Sequence, residues 1–79
     1  MSGVTTEMQL IADLVPAGSR VLDLGCGDGA LLDHLQRAKG CSGYGVEIDD
    51  HNVLACARRG VNVIQLNLEE GLALSLIHI

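Results

Sequence analysis

Three glycines alternate with other residues in the segment DLGCGDG, residues 23–29. Glycine has no Cβ and adopts positive φ angles readily, so such a segment lets the backbone turn sharply and approach a ligand closely. It follows the apolar run RVLDL, residues 20–24, which is typical of a buried parallel strand. Ligands of open α/β sheets bind beyond the carboxyl ends of strands. The segment is therefore predicted to bind a ligand, although a glycine-rich turn can also be a purely structural connection.

A further carboxylate stands at a spacing that suits a nucleoside ligand. Glu47 lies 22 residues after Gly25, close to the spacing of the acidic residue that accepts the ribose hydroxyls in dinucleotide-binding domains. The literal pattern Gly25-x-Gly27-x-x-Ala30 also fits the dinucleotide fingerprint. Spacing alone therefore leaves open an NAD-type cofactor or another adenosine-containing ligand.

The charge of the segment separates these two ligand classes. Asp23 and Asp28 flank the place where a pyrophosphate would sit. Two like unit charges about 4 Å apart repel each other by about 1 kcal/mol in bulk water and by several times that at a partly buried site. This repulsion opposes the binding of a pyrophosphate. S-adenosylmethionine instead carries a positive sulfonium and a positive ammonium, which the same carboxylates complement. The residues therefore favour the methyl donor over a dinucleotide.

The flanking sequence predicts alternating helices and strands. Thr6 followed by Gln9 fits a capping box for a first helix that ends before Pro16. The elements predicted after it are a strand over residues 20–24, a helix from residue 30 to a stop at 40, a strand over residues 44–48, a helix capped by residues 49 and 50 and ended at 60, and a strand over residues 61–66. Strands that alternate with helices predict a parallel sheet. The fold class is therefore α/β, the first half of a Rossmann-like doubly wound parallel sheet.

Composition excludes several classes of function. Ten acidic against five basic residues give a net charge of −5, the wrong sign for binding nucleic acid, and Tyr44 is the single aromatic residue available for base stacking. The three cysteines form no C-x-x-C pair and the three histidines show no metal-ligand spacing, so no metal site is predicted. No signal peptide is evident, and the apolar run over residues 72–79 is too short for a membrane helix of about 20 residues. We therefore expect a cytoplasmic protein with no membrane partner.

The segment also carries a family resemblance. Residues 23–29 resemble the first motif of the class I S-adenosylmethionine-dependent methyltransferases. Three longer stretches resemble the MetW family of methionine biosynthesis proteins: VLDLGCGDGALLDHL (residues 21–35), GYGVEIDDHNVLAC (residues 43–56) and GVNVIQLNLEEGL (residues 60–72). The resemblance runs from about residue 10 to residue 72. It implies S-adenosylmethionine as the cofactor, a role in methionine biosynthesis and partnership with a homoserine O-acyltransferase.

Carried over by position, the resemblance implies a set of cofactor-binding residues. They are Asp23, Gly25, Cys26, Gly27, Gly29, Glu47, Ile48, Asp49, Asn67 and Leu68. Asp23 would lie near the methionine end of the ligand, and Glu47 would hold the ribose hydroxyls. Ile48 and Asp49 would line the adenine pocket. Asn67 stands where the family usually has Asp, and its carbonyl oxygen can still accept from the adenine amino group.

The second half of such a domain is not evident. In class I methyltransferases the residues that face the methyl acceptor come largely from segments after the third strand, so no catalytic residue is predicted. Residues 73–79, ALSLIHI, no longer follow the family pattern. We therefore expect residues 1–72 to be the N-terminal half of a cofactor-binding domain and residues 73–79 to be a truncated or foreign tail. The first strand would then present an unpaired edge.

Three functions remain open on the sequence alone. The first is a methyltransferase-like protein of methionine biosynthesis that acts with a homoserine O-acyltransferase. The second is a non-catalytic activator or sensor subunit of that acyltransferase, and the third is part of an NAD-binding oxidoreductase. Since the acceptor-facing segments would be missing, we expect the 79-residue chain to transfer no methyl group by itself.

Overall fold

The computed structural model describes residues 5–67 and 73–77. Its elements in chain order are α1 (Thr6–Leu14), β1 (Arg20–Leu24), α2 (Ala30–Lys39), β2 (Ser42–Glu47), α3 (Asp50–Arg59), β3 (Val63–Asn67) and β4 (Ala73–Ile77). The strands form one sheet in the order β1-β2-β3-β4. β1, β2 and β3 are parallel, and a helix precedes each of them in sequence. The predicted α/β fold, a partial Rossmann-like sheet, is confirmed.

The first helix begins with a different cap from the one predicted. Thr5, not Thr6, is the N-cap, and its hydroxyl accepts a hydrogen bond from the Met8 N–H at 3.1 Å. Thr6 is already helical, so its backbone no longer has the extended geometry of a cap. Gln9 does not reach back to the cap, because its side-chain amide donates to Asp13 at 2.8 Å. The predicted N-cap was therefore wrong by one residue, and Gln9 does not make the reciprocal bond of a capping box.

Strand pairing sets bounds that local pattern did not predict. β2 begins at Ser42, because Ser42 pairs with Arg20, and it ends at Glu47. β3 begins at Val63, which pairs with Gly45. Both predicted strands were displaced by one or two residues, since backbone pairing decides where a strand starts.

The fourth strand was not predicted at all. β4 pairs antiparallel with β3 over residues 73–77, a segment that the sequence assigned to a tail. Its alternation of Leu74, Ser75 and Leu76 has the period of a strand. The sheet therefore extends beyond the three predicted strands on the side of β3.

The described core lies between the helices and one face of the sheet. One cluster joins side chains of α2, α3 and β3, and a second joins α1 and α2; Val21 of β1 packs against both. Neighbouring residues of a strand point to opposite faces, and Leu22 and Leu24 are 63% and 74% exposed.

β1 pairs with β2 alone in the described residues, as expected for an edge strand. Among those residues, no helix has the length and apolarity needed to cross a membrane.

Candidate functional site

The loop between β1 and α2 needs glycine at its alternating positions. Gly25, Gly27 and Gly29 have φ angles of +71°, +58° and +83°, values that L-residues with a Cβ adopt at a cost. The loop is joined to the end of the neighbouring strand, because the N–H groups of Gly25 and Cys26 both donate to the Val46 carbonyl, at 2.8 and 3.1 Å. We refer to residues 25–29 as the glycine loop. Its conformation is therefore set by backbone geometry and by β2 together.

The Glu47 carboxylate bridges the glycine loop and the end of β2. Its Oε1 accepts from the Gly27 N–H at 2.9 Å, and its Oε2 accepts from the N–H groups of Ile48 and Asp49 at 3.0 and 2.9 Å. These bonds, with the Asp49 N–H contributing most, hold the pKa of Glu47 below its ordinary value. The carboxylate therefore remains ionised near neutral pH, and it retains acceptor capacity for a further donor.

Asp23 is a half-buried carboxylate at the carboxyl end of β1. Burial raises the pKa of Asp23 above its ordinary value. Within the described part of the chain, its side chain has no hydrogen-bond partner and forms no ion pair. A partly desolvated carboxylate is stabilised by a neighbouring cation or donor. Asp23 therefore has the chemistry to hold a positively charged group beside the glycine loop.

Asp28 is engaged differently from the way the sequence suggested. Its Oδ1 accepts from the Ala30 N–H at 3.0 Å, at the start of α2, and its Oδ2 lies 3.5 Å from Nη2 of Arg59. Nη1 of Arg59 also lies 3.2 Å from Asp33 on α2. The charge of Asp28 is therefore partly offset by Arg59, and the negative charge available to a ligand rests on Asp23 and Glu47. The sequence analysis did not connect Arg59 with this loop.

Two buried thiols meet at the glycine loop, one from Cys26 of the loop itself and one from Cys56 of α3. The Sγ atoms of Cys26 and Cys56 are 3.7 Å apart, and the Cys56 thiol donates to the Gly27 carbonyl at 3.4 Å. Burial, followed by the contact with Cys56, raises the pKa of Cys26 to about 12. Burial also raises the pKa of Cys56. Cys56 is a site residue that the sequence did not predict, because nothing local connects it to a loop 29 residues earlier.

The raised pKa predicts slow chemistry at Cys26. At pH 8 a thiol with a pKa of about 12 holds roughly a thousandfold less thiolate than one at the ordinary value of 9.0, and the thiolate is the nucleophile. We expect iodoacetamide to label Cys26 at least about thirtyfold more slowly in the folded chain than in guanidinium, because the greater nucleophilicity of a more basic thiolate offsets only part of the lost thiolate. Peptide mass spectrometry measures both rates. Equal labelling rates in the two states would contradict the described burial of this thiol.

The remaining predicted residues follow the same edge of the sheet. Ile48 and Asp49 come directly after β2, and both are exposed. The Asp49 carboxylate caps α3 by accepting from the N–H groups of His51 and Asn52, so it is at least partly a structural residue. Asn67 is the last residue of β3, and Leu68 lies outside the described residues. In parallel strands the carboxyl ends share one edge, so this edge carries Asp23, Glu47 and Asn67.

A surface cavity among the described residues lies away from this edge of the sheet. A surface cavity of about 450 Å³ lies at the amino ends of β1 and β2, lined by Arg20, Val21, Leu22, Ser42, Gly43, Tyr44 and Asn62. It is at the opposite end of these strands from the glycine loop. No three potential metal ligands come together in the described ranges. The convergence of polar groups, rather than cavity size, therefore locates the candidate site.

Comparison with known proteins gives a consistent set of similarities. Residues 5–75 match the family described as "Methionine biosynthesis protein MetW". The chain is 39% identical over 77 residues to the "Bifunctional methionine biosynthesis protein MetXA/MetW" of Rhodopirellula baltica, covering 87% of this chain and 12% of that protein. It is 33% identical over 58 residues to a "Probable tRNA (uracil-O(2)-)-methyltransferase" of Caenorhabditis elegans, covering 73% of this chain and 10% of that protein. The chain thus spans about a tenth of the length of these relatives.

A solved structure shares the fold. The X-ray structure of YjhP from Escherichia coli superimposes with a TM-score of 0.63 at 24% sequence identity. The match covers 75% of this chain and 25% of that one. At this level of identity the likeness concerns the arrangement of helices and strands.

Proposed function

The chain belongs to the MetW family of methionine biosynthesis proteins, and from that premise we propose that its glycine loop binds S-adenosylmethionine as part of a methyltransferase-like protein. The observation that carries this proposal is the pair of carboxylates beside the loop. Asp23 is half-buried with no partner among the described residues, and Glu47 is bonded to the central glycine of the loop. The two carboxylates lie at the carboxyl ends of neighbouring parallel strands, where open sheets bind ligands.

Each end of the ligand has a matching group in the chain. Asp23 offers a negative charge to the ammonium of the methionine moiety, which would offset the cost of its partial burial. Glu47 offers its remaining acceptor capacity to the ribose hydroxyls. Ile48 presents an apolar, exposed side chain next to Glu47, suited to the adenine ring. Asn67 is the last residue of the next strand, β3, and we propose it and Leu68, the residue that follows it in sequence, for the adenine end of the ligand.

When bound, S-adenosylmethionine supplies a methyl group that its sulfonium already activates for transfer. The work left to the protein is then to hold the donor and to align an acceptor with it. The residues named above perform the first task. We propose that residues outside this chain perform the second, since the chain covers about a tenth of its relatives' length.

A dinucleotide fits the same edge less well. Its pyrophosphate would lie at the glycine loop beside Asp23, and two like unit charges about 4 Å apart at a partly buried site repel each other by several times the value of about 1 kcal/mol in bulk water. Arg59 offsets the charge of Asp28 but is bonded to no other residue of the loop in the described part of the chain. The charge of the site therefore supports S-adenosylmethionine over NAD.

Isothermal titration of the 79-residue chain with S-adenosylmethionine and with NAD tests this proposal. We expect affinity for the methyl donor to exceed that for NAD by at least about tenfold, from charge complementarity at a partly buried site. Asp23→Asn keeps the side-chain shape and removes the charge, so it should weaken binding of the methyl donor by about tenfold. Asp13→Asn, an exposed α1 change, is the control. Binding of NAD without binding of S-adenosylmethionine would reverse the assignment.

A second role is favoured by the architecture of one relative. The Rhodopirellula baltica protein carries both names, MetXA and MetW, in one chain. This supports partnership with a homoserine O-acyltransferase, and with it the role of a non-catalytic activator. A methyl-transfer assay beside an acyl-transfer assay, each with the partner enzyme present, distinguishes the two roles. Faster acyl transfer with no demethylation of the donor indicates an activator, whereas formation of S-adenosylhomocysteine indicates an enzyme.

A further inference from the structure

The central glycine of the loop is held at both of its backbone polar groups by side chains of other elements. The Gly27 N–H donates to Glu47 at the end of β2 at 2.9 Å, and the Gly27 carbonyl accepts from the Cys56 thiol of α3 at 3.4 Å. A residue held at both groups has little freedom to rotate its peptide planes. The loop is therefore fixed from β2 on one side and from α3 on the other.

The glycine loop also packs tightly against α3 at Gly29. A Cβ added at Gly29 would lie 2.9 Å from the Cys56 Sγ and 3.5 Å from the Cys56 Cα. Cys56 itself is 0% exposed and lies in the cluster that includes Leu32 and Val61. A larger side chain at position 56 would displace the loop, and a smaller one would remove both its support and its donor.

Arg59 adds a polar contact three residues further along α3. It reaches the Asp28 carboxylate at 3.5 Å, and Asp28 itself accepts from the first N–H of α2. The helix thus contacts three consecutive loop residues, namely Gly27 through a thiol, Asp28 through a guanidinium and Gly29 through packing. Residues three apart on a helix lie on the same side, so one side of α3 makes all three contacts.

We propose that α3 sets the conformation of the glycine loop through two positioning residues, Cys56 and Arg59. Neither residue needs to touch the ligand for this role. Burial raises the pKa of Cys56, so its thiol keeps the proton that it donates to Gly27. The consequence for ligand affinity rests on the proposed function, whereas the consequence for the loop itself does not.

Substitutions at position 56 test the role of the thiol. Cys56→Ala removes the closer of the two thiol donors to the Gly27 carbonyl and leaves the Cys26 thiol at 3.7 Å, and Cys56→Ser restores a donor of similar shape at position 56. Cys41→Ala is the matched control, because Cys41 is a buried cysteine of the other cluster whose thiol contacts the Pro16 carbonyl. Amide hydrogen exchange at Gly27 and Gly29, followed by NMR on the ligand-free chain, reports the loop. We expect the Ala variant to exchange about fivefold faster at Gly27 and the Ser variant to return toward wild type.

Arg59→Ala gives a second test that leaves the core intact, which matters if Cys56→Ala fails to fold. Its control is Arg37→Ala, which removes another Asp33 partner without touching Asp28. We expect the amide resonances of Asp28 and Gly29 to shift in Arg59→Ala and to stay in place in Arg37→Ala. The proposal would be overturned if Arg59→Ala and the folded position-56 variants all had the loop resonances and amide exchange rates of wild type.

Titration with S-adenosylmethionine then separates this inference from the proposed function. If wild type binds the ligand, Cys56→Ala should bind it about fivefold more weakly than Cys41→Ala, with rescue by Cys56→Ser. If Cys56→Ala, Cys56→Ser and wild type bind the ligand with equal affinity, and the exchange rates of the loop amides are also unchanged, the positioning role is contradicted. If wild type binds no S-adenosylmethionine, the proposed function fails, and the ligand-free exchange rates still decide the role of α3.

Discussion

Gly43→Ala is expected to destabilise the chain strongly, because a methyl group at this position has no room between β1 and β2. An added Cβ would lie 1.9 Å from the Val21 carbonyl oxygen and 2.8 Å from the Val21 carbonyl carbon. Val21 and Gly43 are partners in the parallel ladder, so neither backbone can move away without breaking the pairing. The φ angle of Gly43 is +155°, which adds strain for a residue with a Cβ.

The expected loss is on the order of 3 kcal/mol or more, from overpacking and loss of ladder bonds together. That is a large share of the free energy of unfolding of about 5 kcal/mol at the lower end for small domains. Urea unfolding followed by circular dichroism measures it. Gly40→Ala is the control, because φ is also positive there (+62°) and no heavy atom lies within 4 Å of an added Cβ. It should cost only about 1 kcal/mol. Equal losses in the two variants would show that the β1–β2 contact is not decisive.

Glu47→Gln is expected to weaken both the loop and the proposed ligand site. The carboxylate accepts three backbone N–H groups, those of Gly27, Ile48 and Asp49. Glutamine has one acceptor oxygen, and its NH₂ group would face a backbone donor. We expect a loss of about 1 to 3 kcal/mol in the free energy of unfolding at pH 7, from bonds to a charged acceptor that are lost or left unpaired. S-adenosylmethionine affinity should fall by about tenfold or more, since the ribose acceptor loses its charge.

The pH dependence of this effect has a definite sign. The pKa of Glu47 is lowered in the folded chain relative to the ordinary value of 4.5, so its contribution to stability is fully present above that value. The contribution is lost as the pH falls through the lowered folded pKa. The difference in urea midpoint between wild type and Glu47→Gln should therefore be largest at neutral pH and shrink in acid below the ordinary value. Glu7→Gln, an exposed change in the first turn of α1, is the control. A difference that grows with acidity would contradict the assigned bonds.

The glycine loop and its carboxylate partner were predictable because their signals are local. Alternating glycines after an apolar run indicate a turn with positive φ angles, and Gly25, Gly27 and Gly29 have them. The spacing to Glu47 is one strand-helix-strand unit, and the structure brings its carboxylate to the Gly27 N–H. The bounds of β2 and β3 were less predictable, because they depend on which backbone groups find partners across the sheet.

The sequence by itself determined the order of the first six elements, the glycine loop at the end of β1 and the carboxylate at the end of β2. These follow from periodicity and from backbone preferences that act between neighbours in the chain. Only the tertiary structure decided which charges are engaged, since it pairs Asp28 with Arg59 and leaves Asp23 without a partner in the described residues. It also placed Cys56 against the loop and β4 against β3. Such contacts join residues that only the packed helices and the paired strands bring together, so no local pattern encodes them.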